Sequence, residues 1–398
     1  MVAELSLNQL ANERRLAPFS SWQEQIAPEG YVRGPIDAAA VRFFQENGFL
    51  VLENALSEDE IAALNDETLQ ICRGERGEVR GVEPALEGES DADVLRRYLC
   101  IHFPHKISPL MYDSLAHPAI VDVLTSVIGP NVKCMQSMLF IKASGKPGQA
   151  WHQDEYFIPT RDRSLTGAWM ALDDATVENG CLWVIPGSHK HGIIWPQKKH
   201  DDRRFDCTGE AMFYPYSDDD AVPVEVKRGS VVFFNGYLLH RSLPNYAQSG
   251  YRRSLVNHYM SAESLLPWNG FPAGQPIATA DYRDIVLVAG RDPYAWKGTE
   301  DKAGPHVRPS GEGGCGNSER NSEAKMGGSM GGSMGGSMGG SMGGSMGGSM
   351  GGSMGGSMGG SMGGSMGGSM GGSMGGSMGG SMGGSMGGFD DDDDDHDH

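Results

Sequence analysis

His152 and Asp154 stand two apart in the run Trp151-His152-Gln153-Asp154-Glu155. In an extended strand, residues two apart point the same way, so an imidazole and a carboxylate are aimed at one point. A second histidine, His240, follows the apolar run Val231-Val232-Phe233-Phe234, and Arg252 and Arg253 come about a dozen residues later. Two imidazoles and one carboxylate are the facial ligand set of a mononuclear non-haem Fe(II) centre. Such a centre keeps further positions open for a chelating cosubstrate and O2. A ketoacid cosubstrate also carries a far carboxylate, which a guanidinium grips through two parallel hydrogen bonds. Arg252 and Arg253 fall on opposite faces of the strand they begin, so only one can enter the site. Periodicity leaves open which. Arg252 shares its face with Ser254, Val256 and His258.

These residues need a scaffold of strands. From residue 132 onward the apolar period is 2, and the pattern predicts strands at 132–141, 149–154, 166–172, 181–185, 222–226, 230–234, 238–240 and 252–260. Turn residues separate them, including Glu178-Asn179-Gly180 and Pro186-Gly187-Ser188. About eight short strands in succession without helices between them predict a two-sheet barrel of the jelly-roll type. The earlier part reads as flanking helices. Residues 35–45 form one, stopped by Gly48, and 49–52 form a short buried strand. Ser57-Glu58-Asp59-Glu60 is a capping box that opens a helix reaching about Cys72, and 117–128 form another. Residues 73–93 are rich in Gly and Glu without periodicity, and read as a surface loop or as a lid over the site.

Composition narrows the class. Net charge is −19, and seven of those charges are the aspartates 390–395 and 397. An acidic surface argues against nucleic acid as a partner and against anionic membranes. The six cysteines form no CxxC pair, which suits buried thiols in a reducing cytoplasm. No secretory signal and no apolar run of membrane-spanning length is visible. The expected organisation is an N-terminal arm over 1–34, one domain over 35–310, a linker over 311–325, a Met-Gly-Gly-Ser repeat over 326–388 and an acidic, histidine-containing tail over 389–398. The repeat cannot bury a core and is expected to be a flexible coil.

Several blocks occur in order: His152-Gln153-Asp154, Trp169 to Thr176, Glu178-Asn179-Gly180-Cys181-Leu182, Ile185-Pro186-Gly187-Ser188-His189, and His240-Arg241-Ser242 with Tyr251-Arg252-Arg253. Together they resemble the phytanoyl-CoA dioxygenase family over roughly residues 35–300. The resemblance implies a double-stranded β-helix, cupin-like core with Fe(II) and 2-oxoglutarate. It implies that His152, Asp154 and His240 ligate iron, and that Arg252 holds the cosubstrate. Other family pocket positions fall on Met138, Trp169 and Ser242. Gln136 shares the strand face of Met138 and is a further candidate donor to the ketoacid. Asp154 stands where halogenating relatives have a small residue, which points to hydroxylation.

The expected function is therefore an Fe(II)-, 2-oxoglutarate- and O2-dependent dioxygenase that hydroxylates a small organic substrate. A metal-binding barrel without turnover would not need a carboxylate clamp. A zinc hydrolase on the same three ligands would not depend on a ketoacid. His189 reads as a loop-fixing partner. His258 reads equally as a pocket-orienting residue or a core one.

Overall fold

The computed structural model describes residues 30–265, 285–299, 301 and 303–308, which all fall in one compact unit, Met1–Gly328. Most of the expected N-terminal arm, the linker, the Met-Gly-Gly-Ser repeat, the acidic tail and Cys315 lie outside the described residues.

Strands form largely where the apolar pattern alternates. In chain order they are β1 (Tyr31–Arg33), β2 (Phe49–Glu53), β3 (Cys100–His102), β4 (Val132–Ala143), β5 (Gln149–His152), β6 (Thr166–Ala171), β7 (Leu182–Val184) and β8 (Gln197–Lys198). There follow β9 (Glu210–Ala211), β10 (Val222–Val224), β11 (Val231–Asn235), β12 (His240–Ser242), β13 (Tyr251–Ser261), β14 (Val286–Ala289) and β15 (His306–Val307). The major sheet runs β1-β2-β11-β6-β13-β4-β3-β15, with β14 also on β4. The minor sheet runs β10-β7-β12-β5, and β8 pairs with β9 alone. Strands that neighbour one another in a sheet but not in sequence, closing two sheets over a shared core, make the double-stranded β-helix.

The longest pairing joins β4 and β13 from Val132↔Ser261 to Ala143↔Tyr251. Both strands are buried along nearly their whole length. Each large apolar side chain removed from water there contributes about 1.5–3 kcal/mol. Tyr259 is fully buried, and its hydroxyl donates to the Leu115 carbonyl at 3.0 Å, tying the sheet to the helical layer.

The helical layer obeys its caps. The helix Ala38–Asn47 begins later than residue 35 because the Asp37 carboxylate accepts from Ala40 N–H at 2.8 Å. It ends at Gly48, whose φ of +81° suits glycine. A Cβ there would also lie 2.5 Å from His189 Nδ1. Ser57 and Glu60 close the capping box of the helix Glu58–Cys72, and Pro118–Val127 packs nearby.

Two expected strand ends move. The strand foreseen at 149–154 stops at His152, and Asp154 opens a one-turn 3-10 helix, Asp154–Tyr156. The strand foreseen at 238–240 instead begins at His240. The Asn235 side chain accepts from Tyr237 N–H at 2.9 Å, and its carbonyl accepts from Leu238 N–H at 2.9 Å, so the chain turns there. The strands β1, β3, β8, β9, β14 and β15 were not expected. They are short, and β1 and β15 lie at the sheet's two ends, where pairing depends on which neighbour is near and not on a local pattern.

Residues 73–93 are bound to the chain's later strap. Arg80 N–H donates to Pro305 O at 3.1 Å and Val307 N–H donates to Arg80 O at 2.8 Å. Among the described residues, no helix is long and apolar enough to cross a membrane. Cys72, Cys100, Cys134 and Cys181 are buried free thiols, and Cys207 is half-buried.

Candidate metal centre

Strand β5 delivers His152. Gln153 stays extended at φ −127° and ψ 133°, so the alternation continues past the strand's end and Asp154 still faces His152's side. Strand β12 lies beside β5 with His240 directly across from His152. The two imidazole centroids are 4.1 Å apart. Both Nε2 atoms lie 3.6 Å from Asp154 Oδ1, and one donor atom from each of the three residues lies within 4.8 Å of the others. Ligands at about 2.1 Å from one ion sit about 3 Å apart when adjacent.

The tautomers follow from the backbone. His152 Nδ1 is 2.7 Å from Ala150 O, and His240 Nδ1 is 2.9 Å from Leu238 O. A carbonyl only accepts, so both Nδ1 atoms carry the hydrogen and both Nε2 lone pairs face inward. Two lone pairs and a carboxylate oxygen thus converge in a buried space with no hydrogen between them. Such a set of acceptors is satisfied by a cation, and its donor types fit a divalent iron ion. Burial, with His240 alongside, pushes the His152 ring down to about 3. Burial pushes the Asp154 carboxyl upward, but His240, His258 and His152 outweigh it and hold it well below the usual carboxylate range. Neutral imidazole and anionic carboxylate are the ligating forms.

His258, on β13, resolves the two readings left for it. Its Nε2 donates to Asp154 Oδ2 at 2.9 Å, so it orients the carboxylate.

The cavity beside these residues is walled by Met138, Trp169, Phe234, Val256 and Ser242, and Arg252 reaches it from β13. Arg252 is 3% exposed. Its Nε donates to Gly180 O at 3.1 Å, its Nη1 donates to Ser254 Oγ at 3.0 Å, and its guanidinium lies 5.3 Å from the Trp169 ring centre. Burial lowers its pKa to about 10, which keeps it cationic near neutrality. Arg253 faces the other way and is held by Asp173, through Nε at 2.8 Å and Nη2 at 2.7 Å.

Gln136 is buried on β4 directly opposite His258, which lines the cavity, while on its own strand face the lining residue is Met138, two residues or about 6.6 Å further along. No residue of the 73–93 loop lines the cavity. His189 Nε2 donates to Gln45 O at 3.0 Å, and Glu155 is held by Thr160, so neither faces the trio.

Sequence reasoning passed over Gln153. Its amide donates to Ile193 O at 2.9 Å and to Tyr237 O at 2.8 Å, and its Oε1 accepts from Trp195 N–H at 2.8 Å. It pins two loops to the segment that carries two of the three acceptors. Its position between His152 and Asp154, pointing oppositely, was the available signal.

A family model described as Phytanoyl-CoA dioxygenase matches residues 44–254. "Phytanoyl-CoA dioxygenase, peroxisomal" from Rattus norvegicus is 32% identical over 236 residues, covering 56% of this chain and 68% of the relative. "Phytanoyl-CoA dioxygenase" from Arabidopsis thaliana is 30% identical over 247 residues, covering 54% of this chain and 85% of the relative. A solved structure described as "non-heme monooxygenase; ThoJ apo" aligns with a TM-score of 0.49 at 24% identity, over 63% of this chain and 84% of that one. The family match takes in both histidines, the aspartate and Arg252, and it spans a little over half of the 398 residues. The chain belongs to the phytanoyl-CoA dioxygenase family of 2-oxoglutarate-dependent, non-haem iron oxygenases.

Proposed function

We propose that the chain hydroxylates an unactivated C–H of a small organic substrate, converting 2-oxoglutarate and O2 to succinate and CO2. His152, Asp154 and His240 hold Fe(II), and Arg252 receives the far carboxylate of 2-oxoglutarate. Trp169, Met138 and Ser242 wall the cosubstrate's side of the cavity. Bound iron supplies the O2 activation that this oxidation needs. The chain's own residues supply position. His258 keeps the Asp154 carboxylate turned to the ion, and the Nδ1 hydrogen bonds keep both imidazoles turned inward. Trp169, Phe234, Met138 and Val256 keep water from the reacting atoms.

One observation carries the reading. The converging acceptors share a cavity with a buried guanidinium that donates only to neutral oxygens among the described residues. A buried charge without a counter-ion is costly, and a dicarboxylate chelated at the other end of the cavity removes that cost. A bare metal store or a zinc hydrolase has no such need. Free buried thiols suit a reducing compartment, and we place the protein in the cytoplasm.

The test is anaerobic titration of the full chain with Fe(II) and 2-oxoglutarate, followed by exposure to air with a panel of metabolites. A visible charge-transfer band and succinate release are expected. A protein that binds Fe(II) but gives neither band nor succinate overturns the reading.

A further inference from the structure

Lys142 is a lysine with 2% of its surface exposed, near the end of β4 in the barrel wall. It stands directly across from Arg252 in the β4–β13 pairing. Like charges placed opposite one another across a ladder destabilise it, and burial adds to the cost. Its Nζ donates to Leu243 O at 2.7 Å, to Ser242 Oγ at 2.9 Å and to Gly180 O at 3.5 Å. Those are three acceptors for three hydrogens, all neutral. The Gly180 carbonyl is the same one that accepts from Arg252 Nε at 3.1 Å. The two cations are therefore coupled through one oxygen.

The turn that supplies that oxygen is shaped to admit the lysine. Gly180 has φ +86°, and a Cβ there would lie 2.4 Å from Leu243 O and 3.0 Å from Lys142 Nζ. Asn179 braces the turn by accepting from Thr176 N–H at 2.8 Å and donating to Asp174 O at 2.8 Å. Ser242, for its part, lines the cavity. Because the ammonium donates to its oxygen, the serine's own hydrogen must point elsewhere. Burial, with Arg252 alongside, lowers the lysine's pKa well below the usual range.

We propose that Lys142 is a positioning residue for the cosubstrate. Its ammonium seats the Ser242 hydroxyl and the Gly180 carbonyl so that Ser242 and Arg252 turn their hydrogens together onto the far carboxylate of 2-oxoglutarate. This rests on the reading of the cavity as a ketoacid site. Lys142 touches neither metal ligands nor reacting atoms, and it acts through Ser242 and Arg252.

The experiment compares two ketoacids bound to the Fe(II)-loaded full chain without O2. Pyruvate has the same chelating head as 2-oxoglutarate but no far carboxylate. In Lys142→Met, affinity for 2-oxoglutarate should fall about 10- to 100-fold. Affinity for pyruvate and for Fe(II) should change less than about threefold. Adding Ser242→Ala to Lys142→Met should cost little more, because the hydroxyl has already lost its seat. Equal losses for both ketoacids, or loss of iron, would mean that Lys142 only holds the fold, and the proposal fails. Should the methionine variant not fold, Lys142→Gln is titrated in the same way. It should lose 2-oxoglutarate selectively, and an equal loss again overturns the proposal. Wild-type protein that binds neither ketoacid overturns the functional reading itself, and this proposal with it.

Discussion

His258 Nε2 donates at 2.9 Å to Asp154 Oδ2, while Asp154 Oδ1 sits 3.6 Å from both His152 and His240. The carboxylate's two oxygens are thus divided between a supporting donor and the acceptor trio. Groups of this kind typically set metal affinity by 10- to 100-fold. His258→Phe keeps the ring's bulk and removes the donor. We expect Fe(II) affinity to fall about 10- to 100-fold in anaerobic titrations. A folded variant that binds Fe(II) as tightly as wild type would remove the orienting role.

Arg252 and Arg253 are adjacent in sequence and face opposite ways, one into the cavity and one onto Asp173. Arg252→Ala should raise the KM for 2-oxoglutarate by about 100-fold or more, since a buried carboxylate would lose its partner. Arg253→Ala should leave that KM within about twofold and cost about 1 kcal/mol of stability through the loss of its half-buried pairing with Asp173. Succinate release against 2-oxoglutarate concentration, with a thermal melt for each variant, checks both. The reverse pattern would exchange the two residues.

His105 lies away from the trio, buried, with Nδ1 2.6 Å from Ser137 Oγ. Burial, helped by Lys106, lowers its pKa from 6.5 to about 4. The folded state thus keeps the ring neutral where the unfolded chain takes up a proton. Its contribution is fully present above pH 6.5 and is lost as pH falls towards 4. Melting temperature should drop across that window, and His105→Gln should flatten the drop. An unchanged acid limb in the variant would show that His105 does not carry it.

The likeness of His152-Gln153-Asp154 to a ligand pair was legible because it is local. Two side chains separated by one extended residue share a direction whatever the sheet does, and Gln153 remains extended even though β5 has ended. Caps were legible for the same reason: Ser57 and Glu60 meet within one helical turn. The end of β11 and the start of β12 were not, because the Asn235 side chain makes a turn in a stretch whose apolar residues read as strand. Alternation put Gln136 on the face of Met138, but it assigns only a face and not how far along that face a cavity extends.

The amino-acid sequence alone determined which residues could share a face, and so reduced Arg252 and Arg253 to alternatives. It could not choose between them, since parity has two solutions until one face is covered. The tertiary structure made that choice by laying the minor sheet over Arg252 and leaving Arg253 to Asp173. It also brought His240 opposite His152 through β5–β12 pairing. Lys142 shows the same division most plainly. As a lone lysine in a strand it carries no signal, and only enclosure beside Ser242, Gly180 and Arg252 removes the water that would otherwise solvate its charge.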